Sequence, residues 1–178
     1  MEIIKTSIEG LVIIQPKVFE DERGYFMESF KESFIKENFP NIHFVQDNES
    51  KSSYGVLRGL HFQKPPYEQT KLVRVVEGEV LDIAVDLRKD SLTYGKWESF
   101  ILSGDNKRQL MIPKGFAHGF LTLTTSAILN YKVDSYYNKE SETGIIFDDK
   151  TLNINWILPK AKIQLSPKDK TLKELIKF

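Results

Sequence analysis

Arg58-Gly-Leu-His61 places one of the chain's three histidines close to one of its five arginines, within a run of strand-forming residues. An imidazole near a permanently charged guanidinium suits proton abstraction beside a bound anion. Ten residues after His61, Lys71 opens Lys-Leu-Val-Arg-Val-Val, and a second histidine, His118, follows a Pro/Gly turn in Pro113-Lys-Gly-Phe-Ala-His118-Gly. Taken singly, His61 reads as a hydrogen-bonded core histidine and Lys71 as a solvated strand residue. Three scarce polar groups gathered on one β-rich scaffold point instead to a site.

Taking a proton from carbon needs three groups: a base that titrates near neutrality, a cationic or donating group where the enolate oxygen forms, and an acid that returns the proton. His61 can be the base, Lys71 can face the oxyanion and a tyrosine can be the acid. A base histidine also gains from a carboxylate on its other ring nitrogen, which fixes its tautomer. Spacing does not choose that carboxylate among the 25 acidic residues. Metal-binding jelly rolls commonly carry two histidines one residue apart on a strand. Here Gln63 stands two after His61, and only His118 and His43 complete the supply. Without a histidine pair or a cysteine the donor set makes a poor transition-metal cage, so the expectation is acid–base chemistry with no metal.

The scaffold behind these residues is legible in outline. At 178 residues the chain fits one domain, 1–178, long enough to bury a core. Lysine plus arginine equals aspartate plus glutamate at 25 each, so no basic field favours a nucleic acid polymer and any bound anion must meet a local cluster. The absence of cysteine excludes a disulfide framework and a thiol nucleophile, and agrees with a reducing cytoplasm. Charges interrupt every short apolar run between Met1 and Gly10, which reads as neither a signal peptide nor a membrane span. A cytoplasmic protein with no membrane partner is expected.

Strand signals fill the middle of the chain. Leu81, Ile83, Val85 and Leu87 alternate with Asp82, Ala84 and Asp86, the period of a strand with one buried face. Glu77-Gly78-Glu79 separates that run from Lys71–Val76 and predicts a hairpin. Trp97–Ser103 and Gln109–Ile112 flank the turn signal Gly104-Asp-Asn-Lys107, and Ala127–Val133 and Gly144–Phe147 continue the series. Many short strands punctuated by Gly, Pro and Asn predict an all-β, antiparallel jelly roll. Helices are expected only at the periphery, over Lys31–Asn38, with Phe34 and Ile35 on one face, and over Thr171–Lys177.

An ordered set of motifs resembles the dTDP-4-dehydrorhamnose 3,5-epimerase family over nearly the whole length. They are Asp21-Glu-Arg23-Gly24, Phe44-Val-Gln46-Asp-Asn48, Val56-Leu-Arg58-Gly-Leu-His61-Phe-Gln63, Lys71-Leu-Val-Arg74, Val85-Asp-Leu-Arg88, Ile112-Pro-Lys-Gly-Phe-Ala-His118-Gly-Phe, Tyr131-Lys132 and Leu165-Ser-Pro-Lys168-Asp169. Each is weak alone and specific in combination. The resemblance implies a cupin-type jelly roll, a homodimer, a dTDP-sugar substrate and no cofactor. It implies His61 as base, Tyr131 as opposing acid, Asp169 as the carboxylate on His61 and Lys71 at the enolate. It further implies that Arg23 and Arg58 meet the diphosphate, that His118 lies beside the sugar and that Tyr137 stacks on the thymine. Glu28, Gln46, Asp47, Asn48, Glu142 and Lys168 match other substrate-contacting positions.

The reaction so implied is epimerisation of dTDP-4-dehydro-6-deoxy-D-glucose at C3 and C5. A relative that inverts one carbon, or acts on another nucleotide-linked 4-keto sugar, needs the same acid–base set. The apolar run Leu11-Val-Ile-Ile14 is a candidate for pairing across a dimer interface, with Arg23 then serving the partner's site. Two departures from the family pattern, Pro65-Pro66 between His61 and Lys71 and Phe147 where Trp is frequent, bear on the fit of nucleotide or sugar.

Overall fold

The computed structural model describes residues 1–175. In chain order its elements are β1 (Glu2–Lys5), β2 (Val12–Gln15), β3 (Val18–Asp21), β4 (Gly24–Met27), α1 (Glu32–Asn38), β5 (Gln46–Ser53) and β6 (Leu57–Gln63). They continue with β7 (Lys71–Glu77), β8 (Glu79–Asp86), β9 (Trp97–Ser103), β10 (Gln109–Ile112), β11 (Phe116–Thr122), β12 (Ser126–Val133) and β13 (Glu142–Gly144). A six-stranded sheet, β1-β2-β10-β7-β12-β5, faces a five-stranded one, β13-β6-β11-β8-β9, and β3-β4 form a separate ribbon. All strand pairs are antiparallel. This is the expected jelly roll with little helix, and no helix among the described residues is long and apolar enough to cross a membrane.

Strand alternation sorts the apolar residues into three layers. Between the sheets lie Val73, Val75, Val80, Ala84, Leu102, Leu110, Ile112, Phe116, Phe120, Ala127 and Leu129. Behind the five-stranded sheet, Leu57, Leu60, Leu81, Ile83, Val85, Ala117 and Leu121 pack under residues 145–175, which contribute Ile145, Phe147, Leu152, Trp156 and Leu175. That returning segment is pinned by polar contacts: Trp156 Nε1 donates to the Phe147 carbonyl at 2.7 Å, and the buried Asp149 carboxylate accepts from the backbone of Thr151, Leu152 and Leu175. Behind the six-stranded sheet, Val12, Ile14, Leu72 and Met111 meet Ile35 of α1, with Phe34 alongside. The helix thus begins one residue later than predicted and buries the predicted face.

Five expectations change. β8 is buried on both faces, because its aspartate side looks between the sheets while its leucine side lies under the returning segment. The Lys71–Val76 run and β8 are not a hairpin. At Gly78 the chain turns with φ of +77° and crosses from one sheet to the other, and a Cβ there would lie 2.1 Å from the Ser126 carbonyl oxygen. Beyond Asp169–Thr171, a short 3-10 turn, Leu172 is extended and Lys173 bridges Ile145, so the predicted helix over Thr171–Lys177 is interrupted over 172–174; its last two positions lie outside the described residues. Gly144–Phe147 contributes only Gly144 to β13, with Ile145 in that single bridge. The Leu11–Ile14 run is an interior strand, since β2 is paired on both sides by β1 and β10.

The feature that positions the site is an irregularity between β6 and β11. His118 pairs with His61, but Phe120 pairs with Arg58, so Gly59 and Leu60 together face Gly119. This is a β-bulge, which re-aims side chains along a strand. Regular alternation would set Leu57, Gly59 and His61 on one face, with Arg58 and Leu60 on the other. The extra residue instead sends Leu57 and Leu60 to the outer core, at 1% and 0% exposure, and brings Arg58 and His61 to one cavity. Burying each leucine contributes roughly 2–3 kcal/mol, which holds the bulge in register. The two strands touch glycine to glycine: a Cβ on Gly59 would lie 2.5 Å from the Gly119 Cα, and one on Gly119 would lie 2.8 Å from the Arg58 carbonyl oxygen. Gly119→Ala is expected to destabilise the fold by about 1–3 kcal/mol in urea unfolding; an unchanged midpoint would refute the close approach.

Candidate active site

A cavity of about 650 Å³ opens between the sheets at their polar end. β6 supplies Arg58 and His61, and β11 supplies His118, the direct cross-strand neighbour of His61. The facing sheet supplies Lys71 from the start of β7, Tyr131 from β12, and Asn48 and Ser50 from β5. Gln164, Ser166, Lys168 and Asp169 of the returning segment complete the wall. The same inward rows that carry Val73, Val75 and Leu129 in the core end here in Lys71 and Tyr131. One interior is therefore apolar at one end and ionisable at the other.

His61 and Asp169 are 108 residues apart in sequence, yet the imidazole Nε2 lies 2.5 Å from Asp169 Oδ1. Asp169 is buried in the 3-10 turn, its backbone N–H donating to Ser166 Oγ at 3.1 Å. Burial works to raise its carboxyl, but the His61 hydrogen bond and charge, with Ser166 and Lys168, outweigh burial and hold it below the usual carboxylate range. An ionised carboxylate only accepts hydrogen bonds, so Nε2 of His61 donates to Asp169 and Nδ1 is the nitrogen left to exchange a proton. Such a pair makes a base of fixed tautomer.

A second pair lies deeper. His118 Nε2 donates to both oxygens of Asp82 at 3.0 Å, and Asp82 is fully buried. Asp82 was not singled out by sequence reasoning; its only signal was an aspartate at an inward position of a strand whose other face is wholly apolar. Lys71 is held down to about 8 by burial, against the opposing pull of Asp82 and Glu142. Burial raises the Tyr131 phenol, with Arg58 pulling the other way, so Tyr131 keeps its proton at neutral pH.

The other residues picked out in the sequence fall into three groups. Arg58 Nε donates to Ser52 Oγ at 3.0 Å and its Nη2 to the Lys51 carbonyl at 3.3 Å, leaving it without a carboxylate partner among the described residues. Gln46 donates to the Asn48 side chain at 2.8 Å beside the cavity. At the rim, the Tyr137 hydroxyl donates to Glu142 at 2.7 Å, and Lys168 pairs with Glu142. Arg23, Glu28 and Asp47 do not reach this cavity. Arg23 pairs with Asp21 in the β3-β4 turn, Glu28 with Lys31, and Asp47 with Lys132 on the outer face of its sheet. Ser50, a cavity residue missed in the sequence, has a buried hydroxyl with no partner among the described residues.

Comparison with known proteins points to one family. Residues 5–177 match the family model described as dTDP-4-dehydrorhamnose 3,5-epimerase. A curated relative of that name from Shigella flexneri is 54% identical over 170 residues, covering 95% of this chain and 93% of its own. The crystal structure of a dTDP-4-dehydrorhamnose 3,5-epimerase from Elizabethkingia anophelis superposes with a TM-score of 0.95 at 50% identity, covering 99% of this chain and 97% of that one. A dTDP-6-deoxy-D-glucose-3,5-epimerase from Legionella pneumophila, in complex with dTDP-4-keto-L-rhamnose, gives 0.94 at 51% identity over 98% of this chain and 93% of its own.

The low Lys71 value can be measured directly. In a lysine-labelled NMR titration Lys71 is expected to lose its proton near pH 8, where ordinary lysines at 10.5 are still charged. Between those two values the unfolded chain binds more protons than the folded one, so this group makes stability rise with pH there. Asp82→Asn removes a charge that favours the ammonium and should lower the midpoint further; an Lys71 midpoint at the ordinary value in the wild type would overturn the account.

Proposed function

The chain belongs to the dTDP-4-dehydrorhamnose 3,5-epimerase family, and from that premise we propose that it inverts C3 and C5 of dTDP-4-dehydro-6-deoxy-D-glucose, giving dTDP-4-dehydro-L-rhamnose. It is an isomerase whose own side chains act as acid and base. The observation that carries the assignment is the pairing across one cavity: His61, held by Asp169, stands on one sheet, and Tyr131 stands on the other.

The C4 ketone acidifies the C–H bonds on both sides of it. Nδ1 of His61 takes the proton from C3 or C5, and Asp169 stabilises the imidazolium that forms. Negative charge moves to O4 as the enolate develops, where the Lys71 ammonium and His118 offer positive or donating groups in a partly dry cavity. Tyr131 then delivers its phenolic proton to the opposite face of the carbon, which inverts it. Solvent returns a proton to the tyrosinate and removes one from His61, so each epimerisation is balanced. Because the ketone lies between the two carbons, one base serves both if the ring reorients between events.

Arg58, without a carboxylate partner among the described residues, supports a reading in which it meets the diphosphate by charge-assisted hydrogen bonds. Asn48, Gln46, Lys168, Glu142 and Tyr137 line the path outward from the sugar to the base. Arg23 and Glu28 find their role in a homodimer. The ribbon that carries Arg23 exposes Phe19 at 53%, Tyr25 at 52% and Phe26 at 67%, an apolar surface of the kind that marks an interface. A second copy covering it would take Arg23, and with it neighbouring Glu28 and outward-facing Asp47, to the partner's cavity or the seam beside it. The working compartment is the cytoplasm, in keeping with the absence of cysteine.

Deuterium uptake separates the two proton carriers. His61→Ala should abolish both epimerisation and exchange of the sugar C–H bonds with heavy water, a loss on the order of 10²–10⁴-fold. Tyr131→Phe keeps the ring but not the hydroxyl, so enolate formation continues and the proton returns from its original side; residual deuterium with little inverted product is expected by NMR, most clearly at C5. Wild-type epimerisation of both carbons by Tyr131→Phe, or exchange by His61→Ala, would overturn these roles. Light scattering tests the assembly: a dimer is expected at micromolar concentration, and a fully active monomer would refute the contribution of Arg23 to a partner's site.

A further inference from the structure

We propose that Gln63 is the positioning residue for the nucleobase end of the substrate, its side-chain amide gripping the backbone on both sides of Tyr137 from the strand that carries His61. The inference rests on the dTDP-sugar reading above. Gln63 is buried, and its amide is almost fully committed: Oε1 accepts from the Asn138 backbone N–H at 2.6 Å, while Nε2 donates to the Tyr136 carbonyl at 3.3 Å and the Tyr67 carbonyl at 2.6 Å. A primary amide offers two N–H donors and one carbonyl acceptor. Here both donors point at carbonyls and the acceptor at an N–H, so exchanging its O and N would set like against like at all three contacts.

Tyr137 lies between the two gripped residues. The residue is 55% exposed, so core packing does not fix it. Two polar holds do: Gln63 on the flanking peptide groups and Glu142 on the hydroxyl. Both come from one rung of the sheet, because Glu142 is the cross-strand partner of Gln63 in the β13–β6 register. That rung is two residues beyond His61, roughly 7 Å along the strand. The rigid strand therefore sets how far the aromatic platform stands from the catalytic imidazole. By also holding the Tyr67 carbonyl, Gln63 ties the Pro65-Pro66 loop to the same point. A structural filler would need none of this directionality.

The test compares two ligands that share phosphates but not a base, dTDP and inorganic pyrophosphate, by calorimetry. Gln63→Leu keeps the bulk and removes all three hydrogen bonds. It should weaken dTDP about tenfold, within what a base–aromatic stack contributes, and change pyrophosphate affinity less than twofold. Tyr137→Ala should weaken dTDP comparably, and the double variant should lose no more than the worse single one, since both act on one contact. Unchanged dTDP affinity, equal loss for pyrophosphate, or multiplying losses in the double variant would each overturn the proposal. Gln63→Asn, which keeps the amide one methylene short, carries the same comparison if the leucine variant does not fold; failure of both to fold would assign Gln63 to stability alone. A wild-type protein that binds neither ligand would instead refute the substrate class on which the proposal rests.

Discussion

In β6, Leu57 and Leu60 must both reach the apolar layer behind the sheet although they are three residues apart, and side chains of a strand alternate with a period of two. The chain meets this demand with one extra residue at Gly59-Leu60, accommodated by bare backbone on Gly119 of the neighbouring strand. Arg58 and His61 then share the inner face because the two leucines share the outer one. Burial of hydrocarbon on one side of a sheet thus determines the spacing of a guanidinium and an imidazole on the other. The glycines in Arg58-Gly-Leu-His61 and His118-Gly119-Phe follow from that contact, not from any demand of the chemistry.

Charge inside the molecule is handled by pairing. Each of the two cavity histidines has its own carboxylate, and both carboxylates are buried while the net charge of the chain is zero. A buried carboxylate is tolerated where hydrogen bonds repay its desolvation. Lys71 has no such direct partner among the described residues, and burial makes it easier to deprotonate. The cavity therefore contains two imidazoles, each held by a carboxylate, and one reluctant ammonium, a distribution suited to shuttling protons and stabilising a transient oxyanion.

Period-two patterning made most of the strands legible, and turn residues located most corners. It did not reveal which corners stay within a sheet and which cross between sheets, because Gly78 serves either geometry equally well. Nor did it show that the aspartates of β8 face inward: alternation names two faces without saying that both are covered. His61, Lys71 and Arg58 were recognisable by type and spacing. Asp169 was not, since its partnership spans 108 residues, and only the resemblance supplied it. Gln63 was read as the absence of a second metal-binding histidine and as the end of a motif, with no role of its own, because a side chain that holds loops leaves no periodic trace. Arg23 and Glu28 lie outside the cavity of a single chain, a placement that strand patterning does not encode.

The segment 145–175 does two jobs that are usually separate. It seals the outer face over Leu57, Leu60 and Leu81, and it carries Asp169 back to His61. During synthesis the strands emerge first, and until this segment has wrapped around them the sheet has an open greasy back and its histidine stands without a carboxylate. Closing the outer core and bringing a carboxylate to His61 are one event. On the roles proposed for His61 and Asp169, a chain caught part-way through folding also lacks its assembled base, and activity then reports on whether the wrap has closed.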